Sequence, residues 1–393
     1  MQQINSMQQF FSAINCHHQC YNMGRLVQAI EQATFLSFEQ TKIPWQFPFL
    51  QQAWLAIIFW PNNLPAGEMA NAHYVWFLKF PLDEQAKLNQ AARDDFLRGI
   101  FQALETFVSK RENDTTAADL HTLEKTMLDN PYGFQPKEEQ MANFHALIKQ
   151  QFSLAASPYY HAVQHYLSDP ANFSQWQTLG FQGIADFSAR LSEPYEDKDN
   201  EQLITQAITH LPLPVFQAFA QCLENQKISA PLSQAIQQKL NITLAKHQQQ
   251  GNIPTENTHE LISLATAAVR ANAQARDKKS QQQLIIVLLT SAIATEIELL
   301  ATIAGRCWLL INHDEILTLF LEALAINTSI HYDNHPGIEQ DMQQKQTQSA
   351  FNMILSDLMF IPGIRPLILQ KFRSSQRSEQ LSQAIGAFFK QKF

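Results

Sequence analysis

The chain has 393 residues and a formal net charge of −8, with 45% hydrophobic and 16% charged residues, the latter well below the roughly 25% usual for soluble domains. This balance opposes general nucleic-acid binding, which draws its affinity from Lys and Arg on phosphate, and the length predicts two domains or one domain with an extension. Four cysteines in so long a chain make no disulfide framework and suit a reducing compartment.

Glutamine supplies about one residue in eight. It is spread along helical segments, as on solvated helix faces, and does not gather into a prion-like tract. The first eleven residues carry neither a basic leader nor a long apolar region, so no secretory signal is expected. Residues 284–304 form the longest apolar run, but Glu296 and Glu298 interrupt it, and a buried helix is expected there in place of a membrane span. A cytoplasmic protein is the resulting expectation. Charge is uneven: residues 365–393 carry a net +5 and the rest −13. The basic tail is expected to rest on the chain's own acidic surface.

In chain order, residues 2–14 predict a short helix with Met7, Phe10, Phe11 and Ile14 on one side. Residues 18–30 read either as a strand, through Tyr21, Met23, Arg25 and Val27, or as the approach to a helix that starts at Leu26 and runs through Phe38. Pro44 and Pro48 bound an extended link. Two strands follow at 53–60 and 73–80, rich in aromatic and β-branched residues. In the second, Tyr74, Trp76, Leu78 and Phe80 point one way and Val75 and Phe77 the other, which predicts an internal strand. Asp83 is placed to cap the next helix, which carries Leu88, Phe96 and Ile100. The polar run at 110–116 closes a small α+β domain, set at residues 1–112.

Beyond it the pattern is helix after helix: 120–128, 138–152, 158–167, 173–191, 201–211, 215–224, 232–246, 259–275, 281–304, 315–328, 348–359 and 378–389. They form a second domain at 113–393, subdivided, if at all, near 195–200. The fold class is therefore mainly α, with a small N-terminal α+β unit followed by an irregular α-solenoid or helical bundle. No repeat of fixed period occurs, although helical pairs recur every ~35 to 45 residues. The longest link, 331–346, is the expected mobile loop.

Motifs with a chemical meaning are sparse. Cys16-His17-His18-Gln19-Cys20 has thiols and imidazoles close together, but a structural zinc site wants four ligands, usually as two separated pairs, and Cys222 and Cys307 stand alone. His161 and His165 lie four apart on a helix without the glutamate of a metalloprotease helix. His331, Asp333 and His335 share the long loop. No phosphate-binding glycine loop and no nucleophile elbow is present, and Gly180 and Gly183 have only the bare spacing of a backbone clamp. Arg25, Arg93 and Arg306 each lie beside apolar residues, where a guanidinium must find a carboxylate, a carbonyl or a ligand. Structural pairing is the expected use, for Arg93 with a nearby acid. No catalytic residue, metal site or cofactor is assigned.

Several stretches together, Tyr21-Asn-Met-Gly-Arg25, Gln52-Ala-Trp-Leu, Trp76-Phe-Leu-Lys-Phe-Pro, Ile303-Ala-Gly-Arg-Cys-Trp308 and Ile361-Pro-Gly-Ile-Arg365, resemble a bacterial family known only as domain of unknown function 3549. Asn22 stands where that family's first motif carries Asp. The resemblance covers nearly the whole chain and implies a bacterial cytoplasmic protein, without an activity or a catalytic residue.

The reading reached is a non-catalytic protein-interaction or scaffold protein with a protein partner. Its candidate binding residues are Arg25, Arg93, Arg306, Trp308 and Arg365. The alternatives are an enzyme acting on a small anionic substrate, or attachment of the basic C-terminal tail to nucleic acid or an anionic membrane.

Overall fold

The computed structural model describes residues 6–63, 73–108, 121, 130–249, 255–328 and 340–392. The polar run 110–116, residues 122–128 of an expected helix, and His331, Asp333 and His335 lie outside them. Two compact units divide the chain: Met1–Leu154 with Phe360–Pro362, and Ala155–Met359 with Gly363–Phe393.

The first unit contains α1 (Met7–Ala13), β1 (Cys16–Asn22), β2 (Gln28–Ile30), α2 (Gln32–Glu39), β3 (Gln52–Pro61), β4 (Tyr74–Pro81), α3 (Gln90–Val108) and α4 (Glu138–Gln151). The strands form one antiparallel sheet in the order β2-β1-β3-β4. Residues 18–30 thus divide into most of β1, a loop and β2, and the helix that follows starts only at Gln32. Because side chains alternate along a strand, β3 sends Leu55, Ile57 and Phe59 to one face and Ala56 and Ile58 to the other, and all five are fully buried. On the first face they meet Trp76, Leu78 and Phe80 of β4, Phe10 and Phe11 of α1, and Phe96 of α3. On the second, Tyr21, Met23 and the α4 residues Phe144 and Ile148 complete the cover. The unit thus includes α4 and runs to Leu154.

Two local expectations change. β4 is an edge strand, not an internal one. Its free edge is masked by a following segment: Lys79 N–H donates to the Tyr132 carbonyl at 2.8 Å, and Phe134 N–H donates to the Phe77 carbonyl at 3.1 Å. This is a standard protection of an otherwise sticky edge. Asp83 does not cap α3. Its Oδ1 accepts the N–H groups of Gln85 and Lys87, both at 2.8 Å, and so closes a turn. The first turn of α3 is held by Asn89, whose Oδ1 accepts from Ala92 N–H at 3.2 Å.

The second unit is helical apart from a two-residue strand pair at Pro194–Tyr195 and Lys198–Asp199. Its first helices are α5 (Tyr160–Ser168), α6 (Phe181–Ala189), α7 (Asn200–Ala207), α8 (Leu213–Leu223), α9 (Ala230–Gln249) and α10 (Thr255–Ala271). They continue as α11 (Lys278–Leu289), α12 (Ile297–Arg306), α13 (Asp314–Ala325), α14 (Gln340–Met359), α15 (Ile364–Phe372) and α16 (Glu379–Lys392). Their contacts alternate. One row runs α5, α7, α9, α11, α13, α16 and the other α6, α8, α10, α12, α14, with each helix against the next in its own row and cross-contacts between the rows. This two-row packing suits the mainly helical class expected, an irregular solenoid or a helical bundle.

The helix expected at 281–304 is two helices. At the break Thr290 turns its hydroxyl back to the Ile286 carbonyl at 2.9 Å, while Ile297 N–H bonds to Thr328 O at 2.9 Å and leaves the helical ladder. Hydroxyl side chains offer the backbone such alternatives. Among the described residues no helix is long and apolar enough to cross a membrane. Part of the basic tail rests on the chain itself, with Lys371 Nζ 2.7 Å from Asp314 Oδ1 and α16 packed on α13.

Candidate functional site

Arg25 and Arg93 both belong to the first unit and are buried there. Arg25 Nε donates to the Pro48 carbonyl at 2.8 Å, and its guanidinium carbon lies 5.9 Å from the Phe49 ring centroid. Arg93 donates through Nη1 to the Glu39 carbonyl at 2.9 Å and grips Asp94 Oδ1 through Nε and Nη2 at 2.9 and 2.7 Å. Each guanidinium is thus fixed by protein groups, as buried arginines require.

The Cys/His stretch is strand β1. Alternation separates its members, with Cys16, His18 and Cys20 on one face and His17 on the other. Cys16 and Cys20 are roughly 13 Å apart at the rise of an extended strand. Both thiols are buried in the first unit's core, and burial raises the Cys16 thiol to about 11. Among the described residues no group of three His, Cys, Asp or Glu side chains is arranged to hold a metal ion. His161 and His165 do share the exposed side of α5, where His161 Nδ1 bonds to Gln164 Oε1 at 2.9 Å. Gly180 and Gly183 serve packing: a Cβ on Gly183 would lie 2.7 Å from the Tyr159 carbonyl oxygen.

In the second unit a pocket of about 190 Å³ is lined by residues from the start of α11, the end of α12 and the turn that precedes α13. One of the lining residues, Arg306, belongs to an ionic ladder along one row of helices. Glu224 follows α8, Arg270 lies in the last turn of α10, and Arg306 ends α12. Arg306 Nε and Arg270 Nη1 both reach Glu224 Oε2, at 2.6 and 2.8 Å. The arginines also suit the negative ends of their helices. One carboxylate for two guanidiniums leaves the ladder net positive.

The same lining holds Lys278 and Gln281, in the first turn of α11, which Asp277 caps through the N–H groups of Lys279 and Ser280. Gln281 is buried, and its Nε2 donates to the Asn272 and Ala273 carbonyls at 2.8 and 2.9 Å, tying α11 to the end of α10. Its Oε1 accepts from Lys278 Nζ at 3.1 Å. Lys278 stands at the rim with much of its surface in water, yet protein packed round its ammonium lowers its pKa from the ordinary lysine value. His313 Nε2 lies 2.5 Å from Gln282 Nε2.

Cys307 and Trp308 also line the pocket. Burial raises the Cys307 thiol to about 12, so it carries almost no thiolate near neutral pH. Trp308 is 1% exposed. It forms part of the pocket wall. Arg306 and Trp308 are therefore brought together, while Arg365 lies exposed on α15 outside this lining. Lys278, Gln281, His313 and the Glu224 counter-ion escape the sequence, because Glu224 and Arg306 meet across 82 residues with no local spacing to betray them.

The family described as a protein of unknown function (DUF3549) matches residues 2–389. The chain belongs to this family. No curated protein and no solved structure matches it.

Proposed function

We propose that this chain is a non-catalytic interaction protein of the bacterial cytoplasm whose helical stack binds a protein partner. The two-row stack supports this reading, because helices laid side by side present an extended surface with more room for a partner than a compact bundle offers. Large apolar side chains remain in water on it: Leu309 is 61% and Met353 63% exposed. Four free, buried cysteines suit a reducing compartment.

The test is affinity purification of the full chain at native level from its own cytoplasm, after nuclease treatment, with Leu309→Glu and Met353→Glu made in parallel. A partner recovered in fixed stoichiometry and lost from at least one variant supports the reading. Recovery of the chain alone, or a partner indifferent to both changes, sinks it.

A further inference from the structure

Acids outnumber bases 36 to 28 in the chain, yet the described residues lining the α11/α12 pocket include Lys278, Arg306 and His313 and neither Asp nor Glu. The two fixed cations keep donors in reserve. Lys278 Nζ has three N–H groups, and among the described residues its hydrogen-bond partner is the neutral Gln281 amide. Arg306 commits Nε to Glu224, and among the described residues the hydrogen bond of its Nη groups is a long 3.5 Å approach of Nη1 to the Gly305 carbonyl. Glu224 does not cancel this charge, since its Oε2 is shared with Arg270. Ala273, Trp308 and Leu310 add apolar wall.

We propose that this pocket binds a small organic anion, whose carboxylate or phosphate lies between Lys278 and Arg306 and whose apolar part lies along Ala273 and Leu310. A cavity of about 150 Å³ holds benzene, so about 190 Å³ sets the ligand at roughly six to ten non-hydrogen atoms. A partly buried Arg306 with Lys278 at the rim of a concave site favours an anion more than the same groups on an open surface. The inference stands apart from the protein-partner reading and survives its failure.

Isothermal titration calorimetry on the full chain tests it with benzoate, succinate and inorganic phosphate, at matched ionic strength, with benzamide as the neutral counterpart of benzoate. At least one anion is expected to bind saturably at one site while benzamide does not, and competition between the anions distinguishes a carboxylate from a phosphate site. Lys278→Gln is expected to weaken that binding by about fivefold or more. Lys278→Arg is expected to restore it, and Lys371→Gln, which removes a charge outside the pocket, to leave it unchanged. Lys278 stands at the rim, so an unchanged thermal midpoint confirms that each variant is folded, and Lys278→Arg serves as the charge-retaining check. Absence of binding by all three anions up to about 10 mM, equal binding of benzamide, or binding that withstands Lys278→Gln overturns the proposal.

Discussion

His18 lays a half-buried titratable ring against the core of the first unit. It stacks on Phe11 with ring centroids 4.7 Å apart, and burial, with His17 beside it, lowers its pKa to about 4. The unfolded chain binds this proton near pH 6.5. Between the two values the unfolded state holds more protons, so this group makes stability fall as pH drops from about 6.5 towards 4. Glu39 works in the opposite direction, because burial raises its carboxyl pKa and the folded state then keeps a proton that the unfolded chain releases above the ordinary value of 4.5. The His18 effect is therefore read as a difference between wild type and His18→Phe in urea denaturation. Relative to wild type the variant is expected to gain about 2 to 3 kcal/mol on going from pH 7 to pH 4, and an offset independent of pH would refute the assignment. At this level the sequence told part of the story. Arg93 beside Asp94 in an apolar neighbourhood was legible as a structural pair, whereas the Glu224 ladder joins residues 46 and 82 positions apart and leaves no pattern to read.

The connection into β3 places two consecutive non-glycine residues in the left-handed region, the one such pair among the described residues. Phe49 and Gln52 exchange reciprocal backbone bonds at 3.1 Å, and Leu50 and Gln51 between them have φ of +50° and +61°. A two-residue hairpin with both central residues in the left-handed region favours Asn-Gly, because other side chains crowd the backbone there. Leu50→Asn with Gln51→Gly is expected to raise stability by about 1 to 3 kcal/mol, measured by urea denaturation; no gain would show that other contacts of this turn outweigh its backbone cost. Without Asn or Gly at these positions no turn signal is present, and the segment reads as an extended link. The strands at 53–60 and 73–80 were legible because apolar residues fill both faces. That same pattern misplaced β4 inside the sheet, since it reports side-chain burial and not which neighbours accept the backbone hydrogen bonds. The break between α11 and α12 was hidden likewise, as apolar residues continue through a turn made by hydroxyl groups.

Across the whole chain, the described cysteines are free thiols and all four are buried. Cys16 and Cys307 are raised to about 11 and about 12 by burial, and Cys20 is raised well above its ordinary value. Thiolate is the reactive form, so a chromogenic disulfide reagent at pH 8 is expected to titrate fewer than one of the four in the native protein and all of them in guanidinium. Rapid reaction of two or more native thiols would contradict this burial.

In the two-row arrangement of the second unit, most helices rest on the helix two places earlier and the one two places later. Such partners are made close together in the chain, so little loop entropy is lost before each contact is rewarded. The first unit must instead bring β1 and β3 together across about 40 residues, as in the pairing of Gln19 with Ile58, before its core can close. Folding of the helical row can then begin at any adjoining pair and grow towards both ends like a zipper, while the sheet waits on a single slower closure.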